Sequence, residues 1–291
     1  METRYEAMVR QTMTEIERRL DDPPSFRELA DRAYLSPYHF HRIFRAMVGE
    51  SPKELVRRLR LERAAHRLRR TTSAIADIAV EAGYESQQAF AKAFQAEYGA
   101  TPSSYRADDG PGHRLDSPSR VHYVDGGFTS FYLVNRGGNE MRVETIDVPA
   151  YRLAAVPHVG AYWAIGKAFT ELHERAGPLG LLPGARTVAV FYDDPDTVPE
   201  ADLRSTAAVI VAPDAAIGDL QESSLPGGRY LRAEFIGEYG GLPEAWRAMY
   251  AKHIADGGYE LRDGVCFEIY VTAHGEVPPE RMRTDLYVPI G

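Results

Sequence analysis

Leu29-Ala30-Asp31-Arg32-Ala33-Tyr34-Leu35-Ser36-Pro37-Tyr38-His39-Phe40-His41-Arg42-Ile43-Phe44 returns about fifty residues later as Ile78-Ala79-Val80-Glu81-Ala82-Gly83-Tyr84-Glu85-Ser86-Gln87-Gln88-Ala89-Phe90-Ala91-Lys92-Ala93-Phe94. The offset is 49 up to Ala33/Ala82 and 50 from Ser36/Ser86 onward, so the second turn holds one extra residue. Apolar spacing, turn residue and a closing Gly-x-x-Pro (Gly49, Pro52; Gly99, Pro102) all stay in phase, which marks an internal duplication. Phe26, Leu29, Ala30 and Ala33 give a short helix one apolar face, and Ser36 then caps a second helix with Pro37 at its first position. Phe40, Ile43, Phe44 and Met47 face a core, and Gly49 supplies the left-handed residue past the helix end. In the second copy Ile75, Ile78, Ala79 and Ala82 lead through Gly83-Tyr84 to Ser86, and Phe90, Ala93 and Phe94 turn inward.

This spacing leaves Pro37, Tyr38, His41, Arg42 and Arg45 on the outer face of the first copy. In the second it leaves Ser86, Gln87, Gln88, Lys92 and Gln95. Arginine pairs with guanine, glutamine with adenine and lysine with phosphate, so these faces suit the major groove. The alternative is two ordinary amphipathic helix pairs with idle outer faces. One copy fits either reading; two in-phase copies favour DNA.

The formal charge of −8 argues against nucleic acid until the chain is divided. Residues 1–108 carry 18 Lys+Arg against 16 Asp+Glu, and residues 109–291 carry 16 against 26. Within 42–70 there are 10 basic and 3 acidic side chains, a local excess suited to phosphate.

Residues 25–106 resemble the DNA-binding domain of the AraC/XylS family of bacterial transcription regulators. The match rests on Leu29-Ala30, Ser36, Phe40, Arg42-Ile43-Phe44, Gly49-Glu50-Ser51-Pro52, Arg60-Leu61, Ala64-Ala65, Ile75, Ile78-Ala79, Gly83-Tyr84, Ser86, Phe90, Phe94, Tyr98-Gly99, Thr101-Pro102 and Tyr105-Arg106. Ser86-Gln87-Gln88-Ala89-Phe90 resembles the second reading helix of the subgroup that regulates multidrug and stress genes. The resemblance implies two reading helices joined by a rigid helix, here Pro52 to about Arg69, with Leu55, Leu59, Ala65 and Leu68 inward and a basic outside. It implies promoter duplex DNA and RNA polymerase as partners.

The single cysteine, Cys266, excludes an intramolecular disulfide and a multi-cysteine zinc site, and no metal or cofactor is expected. His158, His173, His253 and His274 have no ligand spacing. No apolar stretch reaches membrane-spanning length, and Met1-Glu2-Thr3-Arg4 does not open a signal peptide, so the expected compartment is the cytoplasm with no membrane partner. The expected domains are 1–108 for DNA binding, a connecting segment 109–140, and 141–291. Within the connector, Arg106 to Ser119 has linker composition; residues 120–138 suit an extra strand, a packed arm or a partly ordered connection equally.

The C-terminal half repeats as well. Strand-like Arg152–His158, Gly160-Ala161-Tyr162 and a helix with Ala168-Phe169 and Leu172 recur 77 residues later as Arg229–Phe235, Gly237-Glu238-Tyr239 and Ala245-Trp246 with Met249. Strands at Thr187–Tyr192 and Ala207–Val211, then Val265–Thr272 and Asp285–Pro289, complete β-α-β-β twice: an α+β domain with both helices on one face of a sheet. The whole chain is thus expected to be multidomain, all-α then α+β. Gly160-Ala161-Tyr162, Phe191-Tyr192-Asp193-Asp194-Pro195, Phe267-Glu268-Ile269-Tyr270 and Thr284-Asp285-Leu286-Tyr287-Val288-Pro289-Ile290 resemble the gyrase-inhibitor-like (GyrI-like) family, an effector-binding domain of bacterial regulators. Arg204-Ser205-Thr206 departs from relatives, which place an acid soon after the arginine, and this puts an ion pair there in doubt.

An acid inside the apolar strand Cys266–Tyr270 is costly unless it is paired or wet. In related multidrug-sensing domains the glutamate at this position lies beneath an aromatic pocket and pairs with cations, which implies a ligand role for Glu268. Tyr270 shares its face by the period-two rule, and Tyr162, Trp163, Tyr192, Tyr239 and Tyr287 are candidate walls. The expected partner is a small, lipophilic or cationic effector. Two alternatives stay open: hydrolysis of a reactive small molecule with Glu268 as base, and a protein-docking role.

Overall fold

The computed structural model describes residues 2–108, 114–125, 127–134, 141–195, 197–272 and 275–291. His274 and parts of the connector (109–113, 126 and 135–140) lie outside them. Contacts divide the chain into two units, Met1–Asn135 and Arg136–Gly291.

The first unit holds α1 (Arg4–Arg18), α2 (Phe26–Arg32), α3 (Pro37–Val48), α4 (Pro52–Arg70), α5 (Ile75–Glu81), α6 (Gln87–Tyr98) and α7 (Pro102–Ala107). Capping chemistry sets most of these starts. Thr3/Glu6, Ser25/Glu28 and Ser51/Glu54 form capping boxes, and Ser36, Ser86 and Thr101 cap with a side-chain oxygen. Each such cap stabilises its helix by about 1 kcal/mol. Both reading helices end on a left-handed glycine, Gly49 at φ +86° and Gly99 at φ +70°. In the turns before those helices Tyr34 (φ +55°) stands early in the first and Gly83 (φ +82°) in the second. Leu55, Leu59, Ala65 and Leu68 of α4 are buried as the sequence requires.

The described residues of the connector form a packed arm. Residues 114–125 and 127–134 lie on the helices, with a short hairpin of β1 (Tyr123–Val124) and β2 (Gly127–Phe128). Leu115 joins the core formed by α4, α5 and α6. Arg58 binds Glu50 (2.5 Å) and Glu62 (3.1 Å) and donates to the Val121 carbonyl (2.8 Å). Glu62 in turn accepts from the Tyr123 N–H and contacts His122 Nδ1 (2.9 Å). A buried ion cluster of this kind holds only while every member is satisfied, and the arm supplies three of its partners.

The second unit contains β3 (Arg142–Val148), β4 (Tyr151–Val159), a 3-10 turn (Tyr162–Ala164), α8 (Gly166–Ala176), β5 (Thr187–Phe191) and β6 (Arg204–Val211). These are followed by β7 (Gln221–Leu225), β8 (Gly228–Ile236), a second 3-10 turn (Tyr239–Gly241), α9 (Leu242–Ala248), β9 (Cys266–Tyr270) and β10 (Arg283–Pro289). After α9 the helix runs on as a π-helical stretch, Met249–Ile254, and a last turn Ala255–Gly257. One antiparallel sheet has the order β3-β8-β10-β9-β5-β6-β4-β7. The two expected β-α-β-β repeats are present, and each has an additional leading strand: β3 pairs β8 of the other repeat, and β7 pairs β4.

The repeats are related by a pseudo-dyad between β5 and β9, where Ala189 lies opposite Glu268. On one face α8 (Ala168, Leu172, Ala176) packs over Ala154, Val156, Ala189, Phe191, Ala207 and Val209. Trp246 of α9 reaches Glu268 on the same face, so both helices lie on one side as expected. The other face is also buried. Val148, Leu153, Ala155, Val188, Val190, Ala208, Leu225, Tyr230, Phe267, Ile269 and Tyr287 form a core drawn from all eight strands and, among the described residues, from no helix.

Candidate functional site

The two reading helices present different surfaces. On α6 the side chains Gln87, Gln88, Lys92 and Gln95 are all exposed, and Ser86 is exposed while its Oγ accepts from the Ala89 N–H (3.2 Å). On α3, Pro37 is exposed, whereas Tyr38, Arg42 and Arg45 are half-buried. The Arg42 guanidinium lies 5.0 Å over the Tyr38 ring, and Arg45 pairs with Glu54 (2.8 Å).

His41 does not fit the expected outer face. It is 2% exposed, with its ring edge-on to Phe26 at 5.4 Å. His41 packs against Phe26 of α2, and α3 also meets α1 and α4. Helix α3 buries eight residues where α6 buries only Phe90 and Phe94. Helix α1 was not read from the sequence.

The basic outside of α4 is likewise engaged by acids from outside the 42–70 window. Arg57 pairs with Glu97, Arg63 with Asp21, Arg67 with Glu81 and Arg69 with Asp108, while Arg60 donates to the carbonyls of Leu20 and Asp21. The local charge excess is largely neutralised in three dimensions. Most of these pairs are partly exposed and weak, so a phosphate can compete for such arginines.

In the second unit, Cys266, Glu268 and Tyr270 share the helix-covered face of β9, while Phe267 and Ile269 face the other core. Glu268 is 3% exposed. Trp246 Nε1 donates to its Oε1 (2.6 Å), and the Tyr270 hydroxyl donates to its Oε2 (2.8 Å). The Tyr270 ring meets Phe169 of α8 and Tyr239 edge-on, each at 5.3 Å. Burial, then the negative charge of Glu268, pushes the Tyr270 phenol far up and the Tyr239 phenol up as well. Both therefore stay protonated, as the Tyr270 donor must. The result is a desolvated acid held by an indole and a phenol, with Phe169 and Tyr239 packed against that phenol.

Of the candidate walls, the structure brings Tyr239 and Tyr270 to Glu268. Tyr287 is corrected: it stacks on Phe267 at 4.4 Å, on the opposite face, because its register partner is Phe267 and not Glu268. Tyr192 is corrected too, since its hydroxyl bonds Thr206, the partner of Val190 on that same opposite face. Tyr162 belongs to the other repeat, edge-on to Phe191 at 4.9 Å with its hydroxyl donating to the Asp193 carbonyl (2.7 Å). Trp163 is 83% exposed. Trp246 and Phe169 are the residues the sequence reading missed. The 77-residue repeat contained the signal, because it places Trp246 in register with Phe169. The doubtful ion pair at Arg204 is made with Asp193 through two contacts of 2.7 and 2.9 Å, and this arginine holds the Asp193 carboxyl below its ordinary value.

A family model described as the GyrI-like small molecule binding domain matches residues 141–291, and a helix-turn-helix domain model matches residues 29–108. The chain belongs to the GyrI-like family. Its other half is an AraC-type helix-turn-helix region. That half is 38% identical to the regulatory protein SoxS of Salmonella typhimurium over 106 residues, 36% of this chain and 94% of SoxS. It is 38% identical to the HTH-type transcriptional regulator YbfP of Bacillus subtilis over 102 residues, 35% of each chain. It is 34% identical to the right origin-binding protein of Escherichia coli over 99 residues, 34% of each chain. The chain thus spans about a third of the latter two proteins. No described helix is long and apolar enough to cross a membrane.

Proposed function

We propose that this protein is a sequence-specific DNA-binding transcription regulator whose GyrI-like half senses a small lipophilic cation at Glu268. The expected DNA contacts are those of α3 and α6, less His41, and the downstream partner is RNA polymerase. The observation that carries the sensing reading is the buried carboxylate between Trp246 and Tyr270. A charge with so little water is worth keeping in a core when a ligand of opposite sign can share it. Comparing the two repeats supports this. The residue opposite Glu268 across the dyad is Ala189, and Phe191 stands where the second repeat has Tyr270. One repeat keeps a neutral core, and the other has an acid with its phenol donor.

The hydrolase alternative is weaker on the same geometry, because both Glu268 oxygens are occupied and the carboxylate is shut off from water. Tryptophan fluorescence titration with tetraphenylphosphonium tests the proposal. Wild type should bind and Glu268→Gln should not; equal binding by both removes Glu268 from the site.

A further inference from the structure

The two reading helices end alike and are held differently. Both close on a left-handed glycine, but a Cβ on Gly49 would collide with Pro118 and come within 3.0 Å of Val134 Cγ2, whereas one on Gly99 would meet nothing within 4 Å. The connector arm is what presses on the end of α3. Its Val134 N–H donates to the Met47 carbonyl (2.9 Å), one of the last-turn acceptors that a helix cannot satisfy by itself. One residue past Gly49, buried Glu50 takes two contacts from Arg58 of α4 (3.0 and 2.5 Å), and Arg58 also reaches the arm at the Val121 carbonyl. Between Val121 and Val134 the arm is tied to α1. The Phe128 N–H donates to Glu17 (2.8 Å), and the Arg10 guanidinium lies 5.5 Å over the Phe131 ring.

The second helix-turn-helix copy serves as an internal control. At the offset of 50, Glu50 corresponds to Ala100 and Arg58 to Asp108, so the buried ion pair has no counterpart there. Helix α6 is joined to α4 instead by Arg57 and Glu97, a partly exposed pair of the weak kind. A helix of 12 residues behaves as a rod, so fixing one end of α3 fixes the direction of its whole reading face. Arg42 and Arg45 stand within about two turns of the clamped end. A guanidinium fork reads a base edge bidentately and therefore tolerates little error in that direction.

We infer that the arm (114–125 and 127–134) is a working part of the DNA reader, a strap that positions α3 and not α6 for base contact, with Pro118, Val121 and Val134 as its positioning residues. The inference rests on the DNA-binding reading and adds to it an element that lies outside the helix-turn-helix match at 29–108. Ordering a helix end that is no longer held costs affinity about three- to tenfold.

The test uses the full chain and a duplex library randomised over about two helical turns. Bases whose preference is lost in Tyr38→Ala/Arg42→Ala belong to α3, and those lost in Gln88→Ala/Gln95→Ala belong to α6. Competition binding with duplexes substituted at each set then reads the strap. Pro118→Gly/Val134→Gly should reduce discrimination about three- to tenfold at the α3 bases and leave it unchanged at the α6 bases, while Val134→Ile should keep both. If the double variant fails to fold, the milder Val134→Ala should show the same localised loss at smaller size. Equal loss at both sets in a folded variant marks general destabilisation and overturns the inference, as does full discrimination at the α3 bases in these strap variants. If wild type selects no sequence, or its selection ignores the α3 and α6 side chains, the DNA-reading proposal falls and the strap with it.

Discussion

Trp246→Phe separates the two roles that the indole plays above Glu268. The substitution keeps an aromatic ring of similar position and deletes the Nε1–H that donates to Oε1 at 2.6 Å. A hydrogen bond to a buried charged group is worth about 1.5–3 kcal/mol, and Glu268, 3% exposed, has no water to replace it. For a domain of this size that corresponds to a fall in Tm of roughly 3–12 °C. Differential scanning calorimetry of the intact chain should place the loss in one transition, since the two units need not unfold together. Ligand affinity should move the other way. A cation that takes Oε1 must displace the indole, so removing that competitor should raise affinity for a monocation, at about tenfold per 1.4 kcal/mol. In a Glu268→Gln background the same substitution should cost only the ordinary 1 kcal/mol or so of a neutral hydrogen bond. The reasoning is refuted if Trp246→Phe leaves both Tm and monocation affinity at their wild-type values.

Arg42→Ala should cost roughly 1–3 kcal/mol of DNA binding and relax preference at one base pair, read by competition binding with operator variants. An unchanged sequence preference would remove Arg42 from base reading. A fragment ending at residue 108 should be measurably less stable to urea than one ending at 134, because the arm supplies Leu115 and the partners of Arg58 and Glu62. Arg58→Met removes the cation from buried Glu50, leaves Glu62 with only His122 and the Tyr123 N–H, and should destabilise the first unit by about 3–5 kcal/mol in urea unfolding. Asp193→Asn should lose stability only where the carboxylate is charged. The folded pKa of Asp193 is lowered by Arg204, so its contribution is complete above the unfolded value near 3.8 and disappears as pH falls through the lower folded value. Tm curves of variant and wild type should therefore converge in strong acid.

The helix-turn-helix unit was legible because its decisive residues act locally. Ser36 and Ser86 cap, Gly49 and Gly99 stop, and the phenylalanines between them repeat at helical spacing. His41 was misread because periodicity reports one covering partner, and α3 meets α1, α2 and α4. The charge window failed for a related reason: Asp21, Glu81, Glu97 and Asp108, which engage its arginines, are distant in sequence. In the second unit strand alternation correctly put Tyr270 beside Glu268. It could not tell which face of β10 carries Tyr287, since a one-residue change of register reverses every side chain.

The duplication explains why one carboxylate can be tolerated at the centre of this sheet. A pseudo-dyad brings equivalent residues together at its axis, so an acid shared by both repeats would set two carboxylates side by side, each destabilising the other. Ala189 opposite Glu268 avoids that repulsion and leaves the space above the dyad to α8 and α9. The asymmetry extends outward through Phe191 against Tyr270 and Phe169 against Trp246. In both pairs the first repeat keeps a hydrocarbon ring, and the second has the same kind of ring with a hydrogen-bond donor aimed at Glu268. A fold that needs two equivalent halves for its core needs only one to hold a ligand, and the donors that stabilise the acid in the closed state are the groups an incoming cation would have to replace.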